Sequence, residues 1–143
     1  MAWSITRRIQ FCAGHRVRLH ESKCRNLHGH NYVALITAVA DELDEAGRVI
    51  DFSVLKEICG GWVEENLDHG VIRERADKEV AAALALLEDP KVYVMEAPPT
   101  AENLADLLLI KFNELLADTE VRVQRVQLWE TENCCATAEG RPC

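Results

Sequence analysis

From Trp3 to His15 the chain alternates. Its odd positions read Trp3, Ile5, Arg7, Ile9, Phe11, Ala13 and His15, while the even ones begin Ser4, Thr6, Arg8 and Gln10. A period of two is the mark of a β-strand with one apolar face, and His15 extends that face. A second stretch, His28 to Val39, carries Tyr32, Val33, Leu35, Ile36, Thr37 and Val39, the β-branched and aromatic composition of a well-buried strand. Two such strands, parted only by the polar, irregular loop 16–27, commit the chain to a sheet whose apolar side something later must cover.

The covering elements read as helices. Ser53 can cap a helix whose apolar residues Leu55, Ile58, Cys59, Trp62, Val63 and Leu67 share one face. Gly60 and Gly61 inside it cost about 1 kcal/mol each relative to Ala, which points to a close approach to the sheet. Pro98-Pro99-Thr100 then starts a capped helix with Leu104, Leu107, Leu108, Phe112, Leu115 and Leu116 on one side. Between these lie a turn at 42–47, a short strand at 48–52, a loop at 68–77, an Ala-rich helix at 78–88 ended by Pro90, and a strand-like segment at 91–96. The last strand, from Val121 to about Thr131, is apolar at 121, 123, 126 and 128. That change of phase predicts a bulge near Gln124-Arg125 and turns Glu130 onto the apolar face. The expected architecture is one α+β domain over residues 1–143, with a four-stranded, mainly antiparallel sheet and two main helices on one face.

Composition narrows the function classes. With 48% hydrophobic and 28% charged residues the chain reads as a soluble globular protein, and no stretch nears the ~20 apolar residues of a membrane span. The first residues lack the basic region, apolar run and cleavage site of a secretory signal, so the expected address is cytoplasmic. Six cysteines (12, 24, 59, 134, 135, 143) are then expected as free thiols, none in a C-x-x-C pair. A net charge of −8 argues against nucleic acid as a partner. Yet residues 1–25 carry Arg7, Arg8, Arg16, Arg18, Lys23 and Arg25 against Glu21 alone, a balance of +5 that leaves −13 for the rest. That quarter either steers a small anion or is simply a solvated strand face.

His28-Gly29-His30 puts two imidazoles at i and i+2, on the same side of a strand. Alone, such a pair is an ordinary core or surface feature. His15 changes the reading, because it ends the neighbouring strand on its apolar face, and three imidazoles with a fourth position free are the ligand set of catalytic zinc. Cys24, in a loop flanked by Lys23 and Arg25, is placed to act as base or nucleophile; it is otherwise a fourth, structural ligand or an idle thiol. Asp68-His69 follows the first helix as a carboxylate–imidazole neighbour pair, or as a helix C-cap histidine. Glu130 on an inward strand face needs a partner, either a ligand with two adjacent N–H donors or a buried Arg. Thr100 and Glu102 read first as a cap and a favourable first-turn charge.

Taken in order, Phe11-Cys12-Ala13-Gly14-His15-Arg16, Cys24-x₃-His28-Gly29-His30-Asn31-Tyr32, Leu67-Asp68-His69, Pro99-Thr100-Ala101-Glu102-Asn103-Leu104 and Trp129-Glu130-Thr131 resemble the 6-pyruvoyl-tetrahydropterin synthase family. The short Cys-x₃-His-Gly-His spacing is similar to its bacterial branch, the 6-carboxy-5,6,7,8-tetrahydropterin synthases of queuosine and deazapurine synthesis. The resemblance implies the tunnelling fold, in which subunits join their sheets into a barrel as a homo-oligomer with active sites between subunits. It implies a pterin triphosphate substrate, 7,8-dihydroneopterin triphosphate, cleaved with loss of triphosphate and acetaldehyde. It implies Zn2+ on His15, His28 and His30, Cys24 as the catalytic thiol, Asp68 and His69 assisting proton transfer, Glu130 gripping the pterin ring, and Thr100 and Glu102 lining the same pocket. Related enzymes that make 6-pyruvoyl-tetrahydropterin or cleave the side chain, and a zinc- or pterin-binding protein without turnover, are the competing readings. Cys12 departs from the family pattern, and His20 offers a competing imidazole.

Overall fold

The computed structural model describes residues 2–140. Its strands are β1 (Trp3–His15), β2 (His28–Ala40), β3 (Gly70–Glu74), β4 (Val92–Met95), β5 (Arg122–Thr131) and β6 (Cys134–Glu139), in one sheet of order β4-β3-β1-β2-β5-β6. The long pair at the start of the chain forms as the alternation requires: β1 and β2 run antiparallel from Trp3 opposite Ala40 to His15 opposite His28. The bulge also lies where the phase change puts it. Thr37 faces Arg125 and Ala38 faces Val123, leaving Gln124 as the extra residue of β5.

The four-stranded antiparallel expectation is corrected to six strands in a mixed sheet, because β1–β3 and β3–β4 are parallel. β3 lies inside the segment expected as loop 68–77. Its inward residues are Gly70, Ile72 and Glu74, so no apolar stripe announces it; Glu74 is 7% exposed and is satisfied by Arg18 at 2.9 Å. β6 is exposed along most of its length and follows β5 through a two-residue turn in which the Asn133 N–H donates to Thr131 Oγ1. The expected strand at 48–52 is absent. Asp44 instead accepts the N–H groups of Ala46 and Arg48, closing a turn, and the Arg48 side chain reaches both Asp44 and Asp51.

The first helical segment is continuous but irregular: α1 (Phe52–Leu55), a π turn at Lys56–Gly60, and α2 (Gly61–Asn66). Its cap is Asp51, whose carboxylate accepts the Ser53 N–H at 2.7 Å, rather than Ser53 itself. A Cβ on Gly60 would lie 3.7 Å from the Ile9 side chain, whereas Gly61 faces open space, so one glycine of the pair approaches the sheet. A third helix beyond the two expected as principal, α3 (Lys78–Leu84), is capped by Asp77. α4 (Ala101–Leu115) begins at Thr100, whose hydroxyl accepts the Asn103 N–H. Leu104, Leu108 and Phe112 of α4 pack with Leu55 and Val63 against Phe11, Tyr32, Ile36, Val126 and Leu128, so α1, α2 and α4 share one face of the sheet. No helix of the described residues is long and apolar enough to cross a membrane.

Candidate active site

The register decides which side chains meet. His15 stands opposite His28, and His30 opposite Ala13, so one end of the apolar sheet face carries all three imidazoles. Their ring centroids form a near-equilateral triangle of 4.7, 4.8 and 5.1 Å. Close strand approach makes room for this: a Cβ on Gly29 would sit 3.3 Å from the Ala13 carbonyl oxygen. The tautomers follow from the partners. His15 Nδ1 is 2.7 Å from the Pro99 carbonyl and His28 Nδ1 is 2.6 Å from the Asn26 carbonyl. A carbonyl only accepts, so each Nδ1 carries the proton and each Nε2 presents a lone pair inward.

His15 Nε2 is buried with no hydrogen-bond partner, and the Nε2 atoms of His28 and His30 are 3.1 Å apart. Two ligands of a tetrahedral zinc with bonds of 2.0–2.1 Å lie roughly 3.3 Å apart, so the trio fits a small divalent ion. The carbonyl contacts supply the orientation that metal-bound imidazoles need. Glu130, half-buried on β5, holds its two oxygens 3.9 Å from His15 Nε2 and His30 Nε2. Among the described residues it thus faces imidazoles and not a buried Arg.

Burial pulls the His15 imidazole from its ordinary 6.5 down to about 4; the bond to Pro99 opposes this, and the nearby His28 and His30 reinforce it. His30 is lowered too, by burial first, against the pull of Glu130. Unfolded chains therefore bind a proton at His15 between pH 6.5 and about 4 that the metal-free native state refuses. Stability from this group is complete above pH 6.5 and is lost as the pH falls towards 4, by up to about 3 kcal/mol. Denaturant midpoints of metal-free protein at pH 7 and pH 4.5 should show the loss, and His15→Asn should flatten it.

Asp68 and His69 pair directly. His69 adopts φ 61, the left-handed region, which turns its ring back so that Nδ1 lies 2.9 Å from Asp68 Oδ2. Partial burial works against ionisation of Asp68, but the Cys12 N–H, the His69 ring and Lys91 outweigh it and hold the carboxyl below the usual carboxylate range. Asp68 lines a cleft of about 660 Å³ between β1 and the π turn, to which Arg7, Arg8 and Lys56 also contribute and His69 and the imidazole trio do not.

Cys24 occupies a single 3-10 turn, Lys23–Arg25, half-buried, with its carbonyl accepting the Val17 N–H. Its sulfur has no hydrogen bond among the described residues, and it does not join the trio's ligand cluster. Thr100 caps α4 next to Pro99, and Glu102 is exposed in the first turn. His20 accepts the Ser22 N–H and stays outside the trio. Arg16 and Arg18, two of the six early cations, are occupied by Asp77 and Glu74.

Two site residues escaped the sequence reading. Tyr32, fully buried, lies 5.4 Å from His30 and 5.9 Å from His15 by ring centroid, with its hydroxyl unpartnered. Burial, and then Glu130, push its ionisation well upward. The signal was present, since 28, 30 and 32 fall on one strand face. Pro99 acts only through its carbonyl, for which no sequence signal exists. Among the thiols, Cys59 is buried and pushed up to about 12, and Cys134 and Cys135 are exposed and free; Cys143 lies outside the described residues.

The family model described as 6-pyruvoyl tetrahydropterin synthase matches residues 4–141. A 6-carboxy-5,6,7,8-tetrahydropterin synthase of Rickettsia bellii is 44% identical over 130 residues, covering 90% of this chain and 94% of its own. One of Aquifex aeolicus is 35% identical over 156 residues, with 92% and 94% covered. Among solved structures, an uncharacterised protein of Wolinella succinogenes superposes with a TM-score of 0.85 at 23% identity over 99% of both chains. The 6-pyruvoyl tetrahydropterin synthase of Caenorhabditis elegans does so at 0.71 and 24%, over 99% of this chain and 97% of its own. At such identities the likeness is one of fold. The chain belongs to the 6-pyruvoyl tetrahydropterin synthase family, among relatives named 6-carboxy-5,6,7,8-tetrahydropterin synthase.

Proposed function

We propose that this protein is a zinc-dependent lyase that converts 7,8-dihydroneopterin triphosphate to 6-carboxy-5,6,7,8-tetrahydropterin with release of triphosphate and acetaldehyde, in cytoplasmic queuosine or deazapurine synthesis. The observation that carries the reading is the trio of imidazoles with two tautomers fixed and a buried, unpartnered Nε2 on His15. His15, His28 and His30 hold the zinc. When bound, it supplies Lewis-acid polarisation of the substrate's side-chain oxygens, which acidifies the adjacent C–H.

The chain's own groups do the rest. Cys24 takes the proton as general base, and the Asp68–His69 pair, with Nδ1 held by the carboxylate, returns or relays one through the ring. Glu130, which among the described residues has imidazoles and no Lys or Arg paired with it, accepts the adjacent N–H groups of the pterin ring. Thr100 and Glu102 line that pocket from the start of α4. Two facts favour a homo-oligomer with shared sites: among the described residues β1 has a second strand neighbour only at residues 13–15, and the cleft along its remaining edge holds Asp68 without the imidazoles. The triphosphate finds Arg7, Arg8, Lys23 and Arg25 free of ion pairs among the described residues.

Product analysis tests the assignment. Purified protein supplied with dihydroneopterin triphosphate should release acetaldehyde in step with triphosphate. Triphosphate without acetaldehyde would assign the 6-pyruvoyl product instead, and a two-carbon aldehyde still esterified to the triphosphate would assign simple side-chain cleavage.

A further inference from the structure

Cys12 has no part in the chemistry above, yet the fold binds it closely to residues that do. It lies on β1 opposite Asn31, to whose side-chain oxygen its thiol donates at 2.8 Å. Its N–H donates to Asp68 Oδ1 at 2.9 Å, and its carbonyl accepts the His69 N–H at 2.6 Å. With the His69 ring turned back by its positive φ, one ligand atom from each of Cys12, Asp68 and His69 falls within 4.8 Å of the others. Cys12 and Asp68 are half-buried and His69 is exposed, so ions have access.

We propose that Cys12, Asp68 and His69 form a second, weaker site for a divalent cation of the zinc class, through which excess metal inhibits the enzyme. Thiolate, imidazole and carboxylate together suit a borderline cation better than a hard one. Asp68 Oδ2 and His69 Nδ1, 2.9 Å apart, already have nearly the spacing of two ligands on one ion. Zinc–sulfur and zinc–nitrogen bonds of about 2.3 and 2.0 Å put ligand atoms roughly 3.3–3.7 Å apart, so the sulfur must leave Asn31 and the cluster must tighten. That adjustment makes the site weaker than the imidazole trio. An ion there takes the lone pairs that proton transfer needs. The inhibition therefore rests on the reading of Asp68 and His69 given above; the binding does not.

The backbone of Cys12, not its side chain, holds the acid–base pair, so Cys12→Ser removes the soft ligand and leaves basal turnover unchanged. Metal-free protein titrated with Co2+ should take up two ions per chain, with a sulfur-to-cobalt charge-transfer band in the near ultraviolet. The band should vanish in Cys12→Ser and persist in Cys24→Ala. In the unmodified protein, Zn2+ at about ten times its dissociation constant should slow alkylation of Cys12, followed by peptide mass spectrometry, by about tenfold. Zinc beyond one equivalent should inhibit the unmodified enzyme and spare Cys12→Ser. Uptake of one ion per chain with no Cys12-dependent band, a band lost with Cys24 instead of Cys12, or alkylation indifferent to zinc overturns the site. A second ion with its band but no inhibition leaves the site standing and overturns the role of Asp68 and His69.

Discussion

Protein in which His28 and His30 are both replaced by alanine is expected to retain no zinc after gel filtration and to lose at least about a thousandfold in kcat/KM. The metal's polarisation of substrate oxygen is worth several kcal/mol, and each 1.36 kcal/mol is a factor of ten. Both imidazoles lie on one strand face with Nε2 atoms 3.1 Å apart, and His15 alone cannot hold the ion. The fold should survive, because both are half-buried and core residues Tyr32, Ala34 and Ile36 of β2 remain. Metal analysis and circular dichroism of the double variant check the two halves. Retention of one tightly bound zinc per chain would remove the proposed centre, unless that ion also leaves on Cys12→Ser and so belongs to the second site.

Replacing Cys24 by alanine should separate chemistry from metal binding. A general base contributes about 10²–10⁴-fold, so kcat should fall by that factor while zinc content and KM stay close to those of the parent. The basis is positional. Cys24 lies outside the trio's cluster, in its own turn with no hydrogen bond to its sulfur among the described residues. A structural fourth ligand would behave in the opposite way, with weakened metal affinity as the primary defect. Equilibrium dialysis against zinc, alongside steady-state kinetics, distinguishes the two.

Much of this was legible because it depends on local periodicity. The alternation of β1 carried His15 to the correct face, the spacing of His28 and His30 set them side by side, and the phase change in β5 placed both the Gln124 bulge and Glu130. What was hidden depends on long-range compensation. β3 carries a buried Glu74 that becomes tolerable only through Arg18, more than fifty residues upstream, so its inward face does not look apolar. β6 has almost no buried face and exists because β5 offers an edge next to a tight turn. Asp68 and His69, adjacent residues whose side chains ordinarily diverge, pair only through the backbone twist at His69. The capture of His15 by a proline carbonyl eighty-four positions away has no trace in residue identity.

That last contact has a wider effect. The imidazole trio, its carbonyl anchors and Glu130 are drawn from β1, the loop before β2, β2, the entry to α4 and β5, between residue 15 and residue 130. No fragment of the chain assembles them, so the ion's affinity is tied to the cooperative unit as a whole. On the proposed zinc reading, saturating zinc at about a hundred times its dissociation constant should add about 2.7 kcal/mol to the free energy of global unfolding, which denaturant titration with and without zinc would show. If the trio holds zinc as proposed, the same linkage leaves the metal-free protein the form more exposed to proteolysis, so zinc supply would set its abundance as well as its activity.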